Sequence, residues 1–310
     1  MMTRREAALW LAQQNNFCIL THARPDGDTV GCAAALCLGL QKLGKTAYIL
    51  ENPELSGKLA FLHEGLTKAA PEAGDTLVAV DVASTRMLPD AWKTLNISLR
   101  IDHHGRGESY AADEIVDATA AACGEIIYDI LMELGVELDQ PIAKALYVAI
   151  STDTGCFRFA NTSAGTFSVA AACAATGAEL HPINQELFDT NSLTKLKIQS
   201  WMVENTKFYR DGALALCALP KAVEAQATAD DMDNISSFLR SIEGVKMAAL
   251  LRETDDGGTK LSVRAVPGYD ASAVCAHFGG GGHKGASGAS FPMPIGEAEI
   301  AVEKILLDLM

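Results

Sequence analysis

The sequence predicts an α/β protein with two domains. Over the first 180 residues, short apolar runs alternate with amphipathic segments of helix length, as in βα units around a mostly parallel sheet. From Phe208 onward the pattern becomes a mixture of hairpins and helices. A chain of 310 residues also favours two domains of roughly 100 to 200 residues each. We expect a five-stranded, mostly parallel sheet flanked by helices in 1–190, a connecting helix in 191–207, and a smaller mixed α+β domain in 208–310.

The elements of the first domain follow from the length of each run. Apolar runs of four to eight residues indicate buried strands, and longer periodic segments indicate helices. Strands are predicted at 17–21, 46–50, 76–82 and 98–103, with a short one near Ile115. Helices are predicted at about 3–15, 28–43, 119–134, 140–153 and 163–176.

The elements of the second domain are shorter and more varied. A polar–apolar stretch at 193–207 predicts the connecting helix, and a strand at 212–219 and helices near 221–240 follow. Strands at 246–253 and 260–266 are joined by TDDGGT, and Asp-Gly-Gly between two such runs is a strong hairpin signal. One helix should precede the glycine run 279–282, and a last helix should cover about 296–309.

Composition and charge limit the classes of function. Hydrophobic residues make up 49% and charged residues 21% of the chain, which excludes a disordered or fibrous protein. The net charge is −14 and both halves are acidic, so we expect no duplex nucleic acid as a partner. Because no apolar run reaches the length of a membrane span and the start lacks a signal peptide, we expect a cytoplasmic protein without a membrane partner.

The eight cysteines point to the same compartment. They show no CxxC spacing and mostly lie among Ala, Leu and Val, as in GCAAALCLGL. A structural zinc site or a disulfide framework would need closer pairing. We therefore expect small buried apolar residues in a reducing environment.

Ionisable residues are concentrated at four places, three of them just after predicted parallel strands, where open α/β sheets bind their ligands. These places are HARPDGDTVG, the Asp of VAVDV, IDHHGRG with its turn at 105–107, and the Asp of ISTDTG late in a predicted helix. Taken singly, each has a structural explanation as a turn, a helix cap or a satisfied polar group. Their joint occurrence favours a site, whose candidate ligands are His22, Asp26, Asp28, Asp81, His103 and Asp153.

This set contains four carboxylates, two imidazoles and no thiolate. Hard oxygen donors mixed with imidazole suit Mn²⁺, Mg²⁺ or Fe²⁺ better than a structural zinc. Converging carboxylates without cations would repel one another and raise their pKa values. Two ions that share a carboxylate would form the two-metal arrangement used for phosphoryl displacement.

A second candidate site is the segment GGGGHKGASG at 279–288, between two predicted helices. Successive glycines let backbone N–H groups approach an anion, and His283 and Lys284 add charge. Arg264, in a predicted strand, could contact a phosphate with two hydrogen bonds. The alternatives are a flexible connector for the glycine run and a solvated surface position for the arginine.

Taken together, these motifs resemble the DHH phosphoesterase superfamily with its DHH-associated C-terminal domain. They occur in the family order over nearly the whole chain, and are most similar to the bifunctional oligoribonucleases and PAP phosphatases of the nanoRNase A type. RecJ-type exonucleases share the core but are typically longer. Two departures from the family pattern are Arg24, where Asn is frequent, and Cys32, where Ser is frequent.

The resemblance implies two metal ions bridged by Asp81. One ion would be held by His22, Asp26 and Asp81, and the other by Asp28, Asp81, His103 and Asp153. His104 would contact the scissile phosphate or the leaving oxygen, with Asp102 behind it as an orienting carboxylate. The nucleotide would be held by Arg264, Gly280, Gly281, Gly282 and His283, across a cleft from the metals.

The resemblance further implies the reaction and the substrates. We expect a Mn²⁺-dependent enzyme, with Mg²⁺ or Fe²⁺ as alternative ions. It would hydrolyse short RNA oligonucleotides to 5′-mononucleotides and a mononucleotide bisphosphate, 3′-phosphoadenosine 5′-phosphate (PAP), to AMP. The alternatives are an enzyme for pApA or pGpG made from cyclic dinucleotides, a phosphatase for PAP alone and, in a different class, a nucleotide-binding regulator without turnover. The oligomeric state stays open, with a homodimer as one option.

Overall fold

The computed structural model describes residues 1–105, 107–232 and 234–309. Contacts within the chain divide it after Thr190 into a first unit and a second unit. Arg106, in the turn predicted after the fourth strand, and residue 233, in the helical segment predicted near 221–240, lie outside the described residues. Among the described residues, no helix combines the length and the apolar composition needed to cross a bilayer.

The first unit is built on a sheet of six parallel strands in the order β3-β2-β1-β4-β5-β6. The strands are β1 (Phe17–Leu20), β2 (Ala47–Leu50), β3 (Thr67–Lys68), β4 (Thr76–Val80), β5 (Leu99–Asp102) and β6 (Asp113–Val116). The prediction of five strands was wrong by one, because β3 has only two residues, both polar, and carries no apolar run. The strand order reverses between β1 and β4, and ligands bind at such a point in open α/β sheets.

The predicted helices of the first unit are confirmed to within a few residues. They are α1 (Arg4–Gln13), α2 (Gly27–Lys42), α3 (Cys123–Glu133), α4 (Gln140–Asp153) and α5 (Ala164–Ala175). A short helix that was not predicted, α6 (His181–Asn184), continues into a π-helical turn at Gln185–Asp189. Short 3₁₀ turns occur at Ala60–Leu62, Thr85–Met87 and Asp90–Trp92. The strands β1 and β2 are buried along their whole length, as their continuous apolar runs require.

Two glycines allow α2 and α4 to pack closely. A Cβ at Gly31 would lie 2.4 Å from the carbonyl oxygen of Ala145, and one at Gly27 would lie 2.5 Å from Oγ1 of Thr152. Any larger residue would push the helices apart. The close packing brings the first turn of α2 against the last turn of α4, where Asp28 and Asp153 lie.

The second unit contains a mixed six-stranded sheet in the order β11-β12-β10-β9-β8-β7, in which the β8–β9 pair is parallel. The strands are β7 (Lys207–Tyr209), β8 (Leu214–Leu219), β9 (Met247–Glu253), β10 (Thr259–Ala265), β11 (Gly281–Gly282) and β12 (Ala286–Phe291). The helices are α7 (Leu193–Asn205), α8 (Lys221–Glu224), α9 (Ala229–Met232), α10 (Ile235–Phe238), α11 (Ala271–Ala276) and α12 (Ile295–Asp308). The helix predicted as a connector, α7, packs with this unit, because Ile198 and Met202 are buried in its core.

The structure corrects one prediction in the second unit. The segment 279–288 is not a loop between two helices, because β11 and β12 form an antiparallel hairpin there. Its Gly, Ala and Ser residues carry none of the β-branched pattern that marks a strand. The helices predicted near 221–240 are present as the three short helices α8, α9 and α10, followed by a 3₁₀ turn at Leu239–Ser241.

All eight cysteines are free, and all but the half-buried Cys156 are buried. No disulfide joins them. They fill the core as small apolar residues, as their apolar neighbours indicated.

Candidate metal centre

The six predicted ligands meet at the carboxyl ends of β1, β4 and β5. His22 follows β1, Asp81 comes directly after β4, and His103 comes directly after β5. The other three lie on helices that pack at the same edge: Asp26 caps α2, Asp28 is in the first turn of α2, and Asp153 ends α4. The donor atoms form two groups of three that could each hold an ion, His22–Asp26–Asp81 and Asp28–His103–Asp153.

In the first group, His22 is buried and presents one nitrogen to two carboxylates. Its Nε2 lies 3.5 Å from Oδ1 of Asp26 and 3.8 Å from Oδ2 of Asp81. Its Nδ1 lies 2.9 Å from the carbonyl oxygen of Ala23, to which it can only donate. The proton is therefore on Nδ1, and the lone pair of Nε2 is left for a cation.

In the second group, His103 is surrounded by three carboxylates. Its Nε2 lies 3.2 Å from Oδ2 of Asp153, 3.5 Å from Oδ1 of Asp81 and 3.8 Å from Oδ2 of Asp28. Its Nδ1 lies 3.3 Å from the carbonyl oxygen of Ala120, to which it can donate, so Nε2 is the nitrogen that a cation could take in exchange for its proton. A backbone carbonyl thus fixes Nδ1 of both histidines and leaves Nε2 facing the carboxylates.

Asp81 stands between the two groups and gives one oxygen to each. Its Oδ2 faces His22 and its Oδ1 faces His103. Oδ1 is buried and has no hydrogen-bond partner among the described residues, which is costly for a carboxylate unless a cation is present. The backbone of Asp81 is left-handed at φ 59°, a strained conformation of the kind found at functional sites. These observations fit a metal site whose bridging ligand is Asp81.

The charges of the six candidate ligands also fit a metal site. Burial, followed by the charge of Asp153, raises the pKa of Asp28 well above its usual value. Burial, followed by the charge of Asp28, does the same to the pKa of Asp81. Burial lowers the pKa of His103, but the hydrogen bond to Asp153 and the charges of Asp28 and Asp153 outweigh it and raise that pKa to about 9. Without cations the cluster therefore holds protons, and metal ions would have to displace them.

Asp28 is fixed by the start of α3. Its Oδ2 accepts a hydrogen bond from the backbone N–H of Cys123 at 2.6 Å, and its Oδ1 accepts one from Gly124 at 3.0 Å. The thiol of Cys32 donates to the same Oδ1 at 3.1 Å. Cys32 thus makes the hydrogen bond that the serine hydroxyl frequent in the family could make.

Behind the ligands, Asp102 orients His104. Oδ1 of Asp102 accepts hydrogen bonds from Nδ1 of His104 at 2.8 Å and from the backbone N–H groups of His103 and His104. Its Oδ2 is bound by the buried guanidinium of Arg100. Burial raises the pKa of Asp102, but the hydrogen bonds from His104 and Arg100 outweigh it and lower that pKa to about 2. Asp102 is therefore charged and keeps the proton of His104 on Nδ1.

Sequence reasoning missed two residues that hold this site. Arg100 lies two residues before Asp102 in β5, so both side chains are on one face of the strand. A charged residue inside a buried apolar strand was the signal that could have revealed it. Asn52, buried after β2, donates from Nδ2 to the backbone oxygen of His22 and to Oγ1 of Thr21, both at 2.9 Å. Nothing in the local sequence pattern singles it out.

The second candidate site is a tight hairpin. The backbones of His283 and Ala286 exchange both hydrogen bonds around a two-residue turn. A Cβ at Gly280 would lie 2.2 Å from the carbonyl oxygen of Gly288, and Gly282 has φ 148°, so only glycine fits these positions. The backbone of the turn and the side chain of His283 are exposed.

Arg264 lies beside this turn, because its Cα pairs with that of Ala286 across β10 and β12. Within the described residues, no carboxylate forms an ion pair with its guanidinium, whose Nη1 donates to the backbone oxygen of Val263 at 3.1 Å. Burial lowers the pKa of Arg264. The structure thus brings Arg264 close to the glycines and to His283 of this hairpin.

Comparisons with known proteins match a known domain in each unit. Residues 16–150 match the DHH family, N-terminal domain, and residues 213–307 match the DHHA1 domain. The bifunctional oligoribonuclease and PAP phosphatase NrnA of Thermus thermophilus is 33% identical over 277 residues, which cover 88% of this chain and 83% of that protein.

Two solved structures share the fold. An exopolyphosphatase-related protein from Bacteroides fragilis has a TM-score of 0.85 at 21% identity, over 98% of this chain and 95% of that chain. RecJ from Thermus thermophilus in complex with Mn²⁺ has a TM-score of 0.55 at 16% identity, over 97% of this chain and 53% of that chain. At these identities the similarity concerns the fold.

Proposed function

The chain belongs to the DHH family and carries a DHHA1 domain, and on this premise we propose that it hydrolyses short oligoribonucleotides to 5′-mononucleotides and PAP to AMP. The observation that supports a metal-dependent phosphoesterase is the position of Asp81, which offers one oxygen to each group of ligands and whose buried Oδ1 has no hydrogen-bond partner among the described residues. The substrates are those in the name of the Thermus thermophilus relative.

We propose that two divalent cations, Mn²⁺ with Mg²⁺ or Fe²⁺ as alternatives, bind to the two groups. His22, Asp26 and Asp81 would hold one, and Asp28, Asp81, His103 and Asp153 the other. Carboxylates with imidazole and no thiolate suit these ions. When bound, two such ions lower the pKa of a water molecule and neutralise the charge that develops on the phosphoryl oxygens.

The side chains around His104 fix the position of one of its protons. Because Asp102 keeps the proton on Nδ1 of His104, the atom left to act on substrate is Nε2. We propose that His104 carries a second proton on Nε2 when it acts, and that Nε2 donates it in a hydrogen bond to the scissile phosphate or transfers it to the departing oxygen. Arg100 holds Asp102 in place and so acts as a positioning residue.

We propose that the second unit binds the nucleotide. The bare backbone at Gly280, Gly281 and Gly282 can approach an anion, with the N–H of Gly280 already donating to the carbonyl oxygen of Cys275 at 2.9 Å, and Arg264 and His283 add donors. The net charge of −14 supports short substrates and argues against duplex nucleic acid, because few phosphates can be neutralised. Eight free cysteines support a reducing compartment such as the cytoplasm.

The test is a comparison of kcat/KM with Mn²⁺ on PAP, pApA, single-stranded RNAs of two to about 24 nucleotides, and long single-stranded DNA. We expect turnover of PAP and of the short RNAs, with kcat/KM falling as the RNA lengthens. Equal or better rates on long DNA would indicate a RecJ-like exonuclease instead. Turnover confined to pApA or to PAP would identify a specialised enzyme, and no turnover even of bis-p-nitrophenyl phosphate would identify a regulator.

A further inference from the structure

The segment directly after Asp153 has an unusual backbone. We call residues 154–162 the Phe159 loop. Three successive residues in it, Gly155, Cys156 and Phe157, have left-handed φ angles of 56°, 57° and 62°. Residues other than glycine rarely adopt this conformation, and it persists only where the surrounding structure holds it.

Hydrogen bonds fix the Phe159 loop to the metal-binding groups. The backbone N–H of Phe159 donates to the carbonyl oxygen of Thr154 at 3.0 Å. Nδ2 of Asn161 donates to the carbonyl oxygen of Asp153 at 3.1 Å and to that of Ala121 at 3.0 Å. The loop is therefore a rigid continuation of the helix end that carries Asp153.

The Phe159 loop presents an aromatic ring to solvent. Phe159 is 53% exposed, although its neighbour in the loop, Phe157, packs against Tyr147 and Phe167. The Phe159 ring rests with its tip on Gly155, where a Cβ would lie 2.3 Å from Cζ. Within the part of the chain that the structure describes, no other aromatic ring contacts it. An apolar ring is thus held, without a partner, two residues from an anchor of the loop.

The adjacent residue gives the surface a positive charge. Arg158 is exposed, and its Nε donates to the carbonyl oxygen of Gly155 at 2.6 Å, so the guanidinium and the Phe159 ring both lie next to Gly155. A planar ring next to a cation suits a ligand that has both an aromatic face and a phosphate. Single-stranded nucleic acids are bound by stacking of their bases on such rings, with little dependence on sequence.

We propose that Phe159 is a stacking surface for a nucleobase of the substrate. This inference rests on the proposed function, because it takes the substrate to be a ribonucleotide. It adds a base contact within the first unit to the phosphate contacts proposed for the second. A contact with the base, unlike one with phosphate, would distinguish nucleotides from other phosphate esters.

The test variants are Phe159→Ala, which removes the ring, and Phe159→Trp, which restores a stacking face. The matched control is Phe61→Ala, because Phe61 is 47% exposed and lines a cavity with Gln140 and Pro141. These residues begin α4, whereas Asp153 ends it, about 20 Å away at 1.5 Å per residue. Each variant is compared with wild type for its Mn²⁺ affinity by calorimetric titration and for its thermal melting.

The measurement is the Kd of a non-hydrolysable phosphorothioate pApA and of two analogues, each with one of the bases removed. In wild type, loss of the stacked base should weaken binding roughly five- to 150-fold. In Phe159→Ala, pApA should bind correspondingly weakly, and removal of that base should have little further effect. Phe159→Trp should restore the dependence on the base, and Phe61→Ala should match wild type.

Two results would overturn the inference. One is a base dependence that Phe159→Ala leaves intact at both positions. The other is a loss of Mn²⁺ affinity in Phe159→Ala that accounts for the weaker binding, because the loop would then merely support Asp153. Because Kd is measured without turnover, failure of the proposed function is seen separately, as a wild-type enzyme that hydrolyses no ribonucleotide.

Discussion

The metal-binding groups of the first unit and the glycine hairpin of the second unit are held in opposite ways. In the first, His22, Asp28 and His103 are each fixed by backbone hydrogen bonds, and Asp81 is buried between them. In the second, the backbone itself offers the donors, and His283 is exposed. A site that organises reacting atoms needs fixed side chains, whereas a site that grips phosphate needs accessible N–H groups. Changes in the first should therefore abolish chemistry, and changes in the second should weaken binding.

The largest effect is expected for Asp81→Asn, which keeps the shape of the side chain and removes its charge. It should lower kcat/KM by at least about a thousandfold, because metal-based charge stabilisation is worth several kcal/mol. The check is kcat/KM on pApA together with metal content by mass spectrometry. Near-wild-type turnover in a folded, metal-depleted variant would refute the bridging role.

The next effect concerns the hairpin. Arg264→Ala and His283→Ala should weaken binding of pApA about ten- to 150-fold, the value of a lost charged hydrogen bond. Metal content should be unchanged, and kcat/KM on bis-p-nitrophenyl phosphate should change little, because this ester has no nucleotide to grip. Equal losses on both substrates, or loss of metal, would mean that the hairpin belongs to the catalytic centre. The proposed division between chemistry in the first unit and nucleotide binding in the second would then be wrong.

A third prediction compares two arginine–carboxylate pairs, one in each unit, in which the arginine lies in a strand. Arg100→Met should lower Mn²⁺ affinity or kcat about ten- to a hundredfold, because it frees the carboxylate that orients His104. Arg252, which binds Glu224 through Nε and Nη2 at 2.7 and 2.6 Å, is the matched control. Arg252→Met should leave kcat and Mn²⁺ affinity unchanged. Equal kinetic losses in both variants would mean that Arg100 only stabilises the fold.

The smallest predicted effect is a pH dependence of stability confined to the metal-free state. Burial and neighbouring carboxylates raise the pKa of Asp28 and Asp81. Protonation therefore stabilises the folded state fully below about pH 4, and this contribution is lost as pH rises through the raised pKa values. Bound cations replace the protons, so the Tm gain from Mn²⁺ over EDTA should grow between pH 5 and 8, to about 5 °C. A gain that is constant over this range would contradict the charge argument.

The sequence was more informative about the first unit than about the second. Apolar runs long enough to be buried on both faces identified β1, β2, β4 and β5, and the donors directly after them identified the sheet edge. The two-residue β3 and the hairpin of β11 and β12 were missed, because neither contains the side chains that distinguish a strand.

The candidate metal centre, too, could be predicted only in part from the sequence. The six candidate ligands could be identified because carboxylates and imidazoles are rare directly after buried strands, and the structure brings all six together. Asn52 and the N–H groups of Cys123 and Gly124 act through contacts between distant segments. Local sequence patterns do not predict contacts between residues far apart in the sequence, so these contacts could be identified only in the structure.

The hydrogen bonds of Asp28 have a consequence for the choice between ions of different size. Both lone pairs of Oδ1 are taken, by the N–H of Gly124 and the thiol of Cys32, and one lone pair of Oδ2 is taken by the N–H of Cys123. A single lone pair of Oδ2 remains, so this carboxylate can bind an ion through one oxygen but not grasp it with two. Calcium collects six to eight oxygens and commonly takes a carboxylate by both, whereas magnesium takes one oxygen from each of a few carboxylates. Cys32 of α2 and the start of α3 together leave one oxygen of Asp28 for a cation, which would favour magnesium over calcium at this carboxylate.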